Sequence, residues 1–181
     1  EQNLAQNAHV TRLVGALSLL ARADSGAVPL ERRSVDLARV ATEAADSVAF
    51  LAEYRRVGLR VEARAGSWVR GDAGRLRQLL LILLDNALTH TPDGGTIAIR
   101  VGGQGGRVYL RVQDTGPGIA AADLPHLFDR FYRADRARGG EGAGLGLAIG
   151  RWIAEAHGGR IVAANAPEGG ALFSVTLPRL P

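Results

Sequence analysis

Two glycine-containing stretches are the parts of this sequence best suited to chemistry. Residues 114–119 (DTGPGI) place the carboxylate of Asp114 beside two glycines, and residues 142–147 (GAGLGL) place three alternating glycines before an apolar, helix-like run. A carboxylate at a strand end can accept a hydrogen bond from the exocyclic amine of adenine. Glycine backbone can approach phosphate oxygens closely, and a helix N-terminus favours anions. Together the two stretches indicate a nucleotide site whose ends come from separate loops.

Each stretch also has a plainer interpretation. Asp before Gly-Pro-Gly often only stabilises a turn, and glycine-rich turns are common in a chain with 24 glycines. The second stretch is not a Walker A loop, because all 22 basic residues are arginine and the required lysine is absent. It is a poor Rossmann fingerprint, because no strand leads directly into it. Any cationic contact to phosphate must therefore come from arginine.

Asn86 is a third candidate, because it interrupts an apolar helical pattern in which asparagine is disfavoured. Ile82, Asn86 and His90 share one helix face at four-residue spacing. Mg²⁺ prefers oxygen ligands and usually borrows phosphate oxygens, so one side-chain carbonyl facing a triphosphate is adequate. The alternatives are that Asn86 caps a nearby loop and that His90, at a helix end, only packs or caps.

The bulk composition excludes several classes of protein. The 181 residues suffice for one domain with a core, or for a domain with an appendage, and the absence of cysteine excludes disulfides and thiolate metal sites. The net charge is +4, but the arginines alternate with acids and aromatics are few, so a nucleic-acid partner is not favoured. No apolar stretch approaches the roughly 20 residues that span a bilayer. We expect a soluble chain without membrane contact, and the missing initiator Met suggests a piece excised from a longer protein.

The hydrophobic periodicity predicts an α+β fold, a two-layer sandwich with helices on one face of a mixed sheet. An N-terminal helix carries an apolar seam at Val10, Leu13, Leu17 and Leu20. Gly58 is predicted to end the second helix. Helices are predicted at 1–22, 38–57, 73–90, 147–157 and, shorter, near 124–131. Strands are predicted at 33–37, 59–63, 68–70, 96–101, 108–112, 161–164 and 172–177.

The order of these motifs resembles the ATP-binding catalytic domain of sensor histidine kinases, in the superfamily shared with DNA gyrase and mismatch-repair ATPases. Residues 77–92 resemble the family's asparagine box and residues 127–133 (LFDRFYR) its phenylalanine box. Residues 114–119 and 142–149 resemble its first and second glycine boxes. The resemblance covers about residues 33–178. It implies the Bergerat ATP-binding fold, in which a mixed sheet lies under three helices, with the N-terminal helix added here.

The resemblance implies ATP and Mg²⁺ as cofactors. Asn86 would hold Mg²⁺ and serve catalysis, and Asp114 would bind adenine. Residues 119–141 would form a lid over the nucleotide, pinned by Phe128 and Phe131. The other implied nucleotide contacts are His90, Gly116, Gly118, Ile119, Gly142, Gly144, Leu145, Gly146 and Leu147.

Two positions depart from the family pattern. Ile82 stands where the family often has a second asparagine, and Thr89 stands where it often has lysine or arginine. We therefore expect a lid arginine, Arg130 or Arg133, to serve as the catalytic cation, whereas Arg136 and Arg138 are more typical of a solvated charge run. The superfamily's hydrolases resemble one another in carrying glutamate at position 82. Because isoleucine cannot act as a base, its presence argues against an autonomous ATPase.

The N-terminal segment resembles part of a dimerisation hairpin. Residues 1–28 would be the C-terminal part of its second helix and a linker, and residues 29–181 would be the catalytic domain. None of the four histidines (His9, His90, His126 and His157) has the context of a phosphoacceptor, which we expect on a helix outside this chain.

The implied function is transfer of the γ-phosphoryl group of ATP to that histidine, for relay to an aspartate of a response regulator. The implied partners are the regulator, the kinase's own phosphoacceptor domain and a second copy in a homodimer. The implied location is the cytoplasmic side of a parent protein anchored in a bacterial membrane. The alternatives are a nucleotide-binding module without turnover, a serine kinase of the anti-sigma-factor type and a hydrolytic ATPase.

Overall fold

The computed structural model describes residues 2–133 and 143–181, and it contains eleven helices and strands within them. Among the described residues, no helix combines the length and the apolar character that a bilayer crossing requires. The helices are α1 (Gln2–Asp24), α2 (Leu37–Tyr54), α3 (Ala73–His90) and α4 (Gly146–Ala156). The strands are β1 (Arg33–Asp36), β2 (Gly58–Ala63), β3 (Trp68–Gly71), β4 (Thr96–Gln104), β5 (Arg107–Asp114), β6 (Arg160–Asn165) and β7 (Ala171–Pro178).

The main sheet has five strands in the order β2-β4-β5-β7-β6. Strand β2 runs parallel to β4, and every other neighbouring pair is antiparallel. Strands β1 and β3 form a separate antiparallel pair. Helices α2, α3 and α4 pack on one face of the main sheet. The predicted α+β sandwich, a mixed sheet with three helices on one face, is thus confirmed.

The core lies between the sheet and the three helices. Alternate residues of β5, namely Val108, Leu110 and Val112, are buried, and the leucines of α3 pack above them. The two-residue period of the strands and the helical period of α3 therefore generate one apolar layer. Asp114 continues the inward-facing row of β5, which delivers a carboxylate to the edge of this layer.

Capping residues fix where the helices begin. The Asp72 carboxylate accepts a hydrogen bond from the backbone N–H of Arg75 (3.0 Å), and Asp36 accepts one from Ala38 (3.0 Å). These bonds satisfy N–H groups that have no partner within the helix. Helix α3 has the predicted bounds, since Asp72 starts it and Pro92 follows its end.

The predicted end of the second helix at Gly58 is wrong. Helix α2 ends at Tyr54, and Arg56 adopts a positive φ of 54° in the following turn. The Arg56 guanidinium pairs with Asp93 (2.5 Å), which holds this turn beside the loop before β4. Gly58 instead begins β2 and lies opposite Thr96.

The predicted short helix near residues 124–131 is also wrong. This segment is a series of turns whose backbone hydrogen bonds span three residues, as from Asp123 to Ala120 (2.9 Å) and from His126 to Asp123 (2.9 Å). A continuous α-helix would instead need a run of backbone bonds that span four residues. The apolar spacing of the segment therefore reflects packing of a turn-rich loop.

Helix α1 confirms the predicted N-terminal helix and packs against α4. Leu20 is only 2% exposed and joins the main core, whereas Val10 and Leu17 remain exposed. The apolar seam of α1 is therefore divided, with its C-terminal end packed on the sandwich.

Candidate nucleotide-binding site

Asp114 is a buried residue, and one oxygen of its carboxylate already accepts two hydrogen bonds. The residue is 2% exposed, and its Oδ1 accepts hydrogen bonds from the backbone N–H groups of Gly116 (2.9 Å) and Ala171 (3.1 Å). Its Oδ2 accepts no hydrogen bond from the part of the chain that the structure describes. The two backbone donors fix the orientation of the carboxylate and leave Oδ2, which is not fully buried, available to a ligand. The site therefore fits a ligand that presents an N–H group.

Two glycines beside Asp114 permit close backbone contacts. A Cβ at Gly116 would lie 2.6 Å from the backbone oxygen of His90, so the glycine loop rests against the end of α3. Gly118 has a φ of +79°, and a Cβ there would lie 2.8 Å from Oδ1 of Asn165. The structure thus brings the Asp114 loop to the end of α3, where the side chain of His90 is exposed.

Asn86 carries an unengaged amide. Its side chain is half-buried on α3 and makes no hydrogen bond with the described residues, so loop capping by Asn86 is not seen there. Within the same residues, no cluster of three acidic or histidine side chains could hold a metal by itself. A divalent ion at this position would need oxygen ligands from the nucleotide, as Mg²⁺ commonly does.

The second glycine loop approaches the same helix nearer its middle, at Ile82. Gly144 has a φ of +69°, and a Cβ there would lie 2.6 Å from the backbone oxygen of Tyr132. The residue before α4, Leu145, is buried, and no side chain caps the helix, which begins at Gly146. The first N–H groups of such a helix lack intrahelical partners and can donate to an anion. Leu147 is half-buried, and Gly142 lies outside the described residues.

Ile82 connects the second glycine loop to α3. A Cβ at Gly146 would lie 3.5 Å from Cγ2 of Ile82, one helical turn before Asn86. The N-terminus of α4 therefore lies against the face of α3 that carries Asn86.

The two phenylalanines predicted to pin the lid differ in their contacts. The Phe128 ring packs edge-on against Phe173 of β7, with 6.4 Å between ring centroids. Phe131 is 57% exposed and has a positive φ of 64°. Phe128 thus anchors the start of the lid to the sheet, whereas the Phe131 ring faces outward.

The arginines expected to serve the phosphates also differ. Nη2 of Arg130 donates to Oδ1 of Asp24 (2.6 Å), and this hydrogen bond lowers the pKa of the Asp24 carboxyl. Arg130 therefore links the lid to the last residue of α1. Arg133 is half-buried and follows Tyr132, whose carbonyl lies at Gly144. Arg136 and Arg138 lie outside the described residues.

Sequence reasoning missed the positioning role of Asn165. Its Oδ1 accepts from the backbone N–H of Ile119 (2.7 Å), and its Nδ2 donates to the Ile119 carbonyl (2.9 Å). This reciprocal pair fixes the half-buried Ile119 beside the Asp114 loop. Gly170 was not among the predicted site residues either, yet a Cβ there would overlap the carbonyl oxygen of Asp114. The only local signal was an asparagine at a strand end before a Gly-Gly turn.

A groove of about 610 Å³ lies between α1, α3 and α4, away from Asp114 and Asn86. It shares Ile82 and Gly146 with the candidate site, and α1 residues such as Leu13 and Leu19 form its opposite wall. The groove also includes Leu145 and the side chains of Arg22, Arg75 and Gln78. We assign it to the contact between α1 and the sandwich, because neither Asp114 nor Asn86 lines it.

Comparison with known proteins gives the same assignment as the geometry. Residues 71–181 match the family described as "Histidine kinase-, DNA gyrase B-, and HSP90-like ATPase". The chain is 40% identical to Sensor protein SphS of Synechococcus elongatus, over 98% of this chain and 46% of that protein. It is 45% identical to Sensor histidine kinase component HK1 of Mycobacterium tuberculosis, over 71% of this chain and 76% of that protein.

A solved structure extends the similarity to the fold. Full-length ShkA in complex with AMPPNP superposes with a TM-score of 0.83 at 30% identity, covering 94% of this chain and 36% of that one. The chain spans about half the length of SphS and a smaller share of ShkA. Both similarities include the region that carries Asp114, Asn86 and the second glycine loop. The chain belongs to the histidine kinase-, DNA gyrase B- and HSP90-like ATPase family, as an ATP-binding catalytic domain of the sensor histidine kinase type.

Proposed function

We propose that this chain binds Mg-ATP and supplies the γ-phosphoryl group to a histidine on a separate dimerisation helix. The observation that carries the proposal is the buried Asp114 carboxylate, with Oδ1 held by two backbone N–H groups and Oδ2 unoccupied by the described residues. In a pocket floored by glycine, that oxygen fits the exocyclic amine of adenine.

Each residue of the site then has a distinct task. Asp114 accepts the adenine amine, and Gly116 and Gly118 keep side chains away from the base. Gly144, Leu145 and Gly146 place the uncapped start of α4 toward the phosphates, and Arg133 contributes positive charge beside this loop. Gly142, outside the described residues, is the remaining phosphate contact of the proposal. Ile119, His90 and Leu147 border the nucleotide. Asn86 would provide a protein oxygen ligand to Mg²⁺, which neutralises phosphate charge when bound.

The chemistry of Ile82 favours transfer over hydrolysis. Ile82 lies against the start of α4, where its side chain cannot take a proton from water. The bond between the γ-phosphorus and the bridging oxygen of ATP breaks, ADP leaves with that oxygen, and a ring nitrogen of the acceptor histidine bonds to phosphorus. The attacking ring nitrogen is the unprotonated one, and the proton on the other ring nitrogen passes to solvent. This chain contributes positioning and charge neutralisation.

The remaining assignments concern the parent protein. Residues 1–28 would belong to the dimerisation hairpin and residues 29–181 to the catalytic domain. The parent would form a homodimer, pass the phosphoryl group to a response-regulator aspartate, and hold this chain on the cytoplasmic side of a bacterial membrane. The relatives named as sensor kinases support these assignments.

Calorimetric titration with ATP tests the site directly. We expect Asp114→Asn to weaken ATP binding about 10- to 100-fold, because the amide replaces the charged acceptor while keeping Oδ1. Asn86→Ala should leave binding without Mg²⁺ nearly unchanged and abolish most of the gain that Mg²⁺ provides. Asp46→Asn, on the exposed face of α2, is the matched control and should bind as the parent does. Unchanged affinity in Asp114→Asn would remove Asp114 from the adenine pocket.

A transfer assay tests the reaction separately from binding. The chain is mixed with radiolabelled ATP and the dimerisation domain of its parent kinase, and label should appear on that domain's histidine. Tight ATP binding without labelling would support the nucleotide-binding module instead. Label on a serine of a partner would support the anti-sigma-type kinase. Steady phosphate release by the chain alone would support a hydrolase and contradict the interpretation of Ile82.

A further inference from the structure

The face of the main sheet that lies opposite the helices is rich in arginine. Strand alternation buries the inward residues of β4, β5 and β7 and leaves the alternate residues outward. The outward charged residues are Arg60, Glu62, Arg100, Arg107, Arg111 and Arg160, which we call the arginine face. The register places Glu62 opposite Arg100 and Arg100 opposite Arg111, so these side chains form one row across three strands.

Most cations of the arginine face have no anionic partner. Arg100 bonds to Glu62 (3.0 Å) and to Gln113 (3.0 Å). The side chains of Arg60, Arg107, Arg111 and Arg160 form no ion pair or hydrogen bond with the described residues. In the helical layer, by contrast, Arg39 pairs with Glu43 and Arg151 with Glu155.

Arg111 is held in place although it lacks an anionic partner. Its guanidinium lies 4.6 Å from the centroid of the Tyr109 ring, a cation–π arrangement. The Tyr109 hydroxyl in turn packs over Gly102, where a Cβ would overlap it. Arg111 and Arg100 also stand directly opposite each other, although like charges in such pairs repel. The strand register therefore keeps the Arg111 guanidinium oriented, although its repulsion with Arg100 lowers the stability of the sheet.

The arginine face carries the chain's whole excess of positive charge. The sequence has 22 arginines and 18 acids, and the face holds five of these arginines and one of these acids. Seventeen arginines and seventeen acids remain, so the rest of the chain is balanced. Two copies of this chain would repel each other through this face, which excludes a homodimer there.

We propose that the arginine face docks an acidic surface of a protein partner, at a site distinct from the nucleotide pocket. Guanidinium groups match carboxylates in a two-bond geometry, and short side chains such as Ala98 and Ser174 leave recesses between the arginines. Because sheets twist, the arginines on outer strands do not share the plane that a bilayer surface would present. A protein partner therefore fits this face better than a membrane does.

The test measures binding of fluorescently labelled poly-L-glutamate by anisotropy. The double variant Arg111→Gln/Arg160→Gln removes two unpaired face charges, and Arg39→Gln/Arg151→Gln removes two charges from the helical layer. We expect about three- to tenfold weaker binding for the face variant and less than about twofold for the control. Both variants should bind ATP as the parent does, which shows that they are folded and separates this test from that of the nucleotide site.

Three outcomes would overturn the proposal. If both variants bound polyglutamate equally more weakly than the parent, the binding would depend only on the net charge of the chain. If the parent did not bind polyglutamate at physiological salt, the arginine face would not be a docking site for an acidic protein. A parallel arm uses phosphatidylglycerol vesicles, and vesicle binding that needs Arg111 and Arg160, without polyglutamate binding, would assign the face to a membrane.

Discussion

His157 shows how one side chain can join three elements of the sandwich. The residue is 5% exposed, its Nδ1 donates to the Ile153 carbonyl (2.7 Å), and its Nε2 accepts the backbone N–H of Asp72 (2.9 Å). These partners require the neutral ring. Burial lowers the pKa of His157 and the nearby Arg32 guanidinium lowers it further, although the bond to Ile153 opposes the shift.

A pH dependence of stability follows from this lowered pKa. The unfolded chain protonates His157 near pH 6.5, whereas the folded chain does so only at lower pH. Stability is therefore complete above about pH 6.5 and declines as pH falls toward the folded pKa, with a slope of at most about 1.4 kcal/mol per pH unit. Urea unfolding between about pH 7 and pH 5 should show this slope in the parent and in His126→Gln, an exposed histidine, but less of it in His157→Gln. The same slope in His157→Gln would contradict the assignment.

The sequence indicated candidate residues for the site but not the residues that support them. Asn86 stood out because an amide in an apolar helix conflicts with local preference, and Asp114 because a carboxylate beside glycines at a strand end suits a purine. Asn165 gave no such conflict, since its role depends on a hydrogen-bonded partner, Ile119, 46 residues away. Asn165 holds Ile119 because the fold brings the two residues together, and its residue type alone does not reveal this role.

At the scale of elements, two aspartates begin helices with different numbers of hydrogen bonds. Asp36 accepts one backbone bond at the start of α2. Asp72 accepts from Arg75 with Oδ1 and from Glu31 with Oδ2 (3.2 Å), so it also ties the segment before β1 to α3.

Replacing these caps should destabilise the protein unequally. We expect Asp36→Ala to cost about 1 kcal/mol and Asp72→Ala about 2 kcal/mol, because Asp72 leaves two donors without a partner. Urea denaturation of the two variants measures the difference. If Asp36→Ala were the more damaging change, the bond from Glu31 would contribute nothing to folding.

Element prediction succeeded where a local signal was strong. The predicted bounds of α3 agree with the structure, in which Pro92 follows its end, and strands β4 and β5 were both predicted, although they are longer than predicted and turn at Gly105-Gly106. The end of α2 was missed because Arg56, unlike glycine, gives no sign of a positive φ. Its conformation is supported by Asp93, 37 residues away, which no local pattern reveals.

At the scale of the whole molecule, α1 is part of the folded body and not a free appendage. Leu20 lies in the main core, and Asp24 at the end of α1 pairs with Arg130 of the lid segment. The N-terminal segment, predicted from its apolar seam alone, therefore contacts both the sandwich and the lid.

Alanine replacement of two leucines in α1 measures how much the packing of this helix contributes to the unfolding free energy. Leu20→Ala should cost about 2–4 kcal/mol in unfolding free energy, because it opens a cavity in the core. Leu17, 42% exposed, is the matched control, and its replacement by alanine should cost under about 1 kcal/mol. Equal, small losses in thermal and urea unfolding would mean that α1 moves independently of the sandwich.

The β6–β7 hairpin holds both fixed points of the first part of the lid. Asn165 at the end of β6 grips the backbone of Ile119, and Phe173 in β7 receives the ring of Phe128. Residues 119–128 are therefore attached at both ends to the same hairpin of the sheet. If residues 119–141 close over a nucleotide as the family resemblance implies, a movement that keeps both contacts would leave residues 119–128 in place against the sheet.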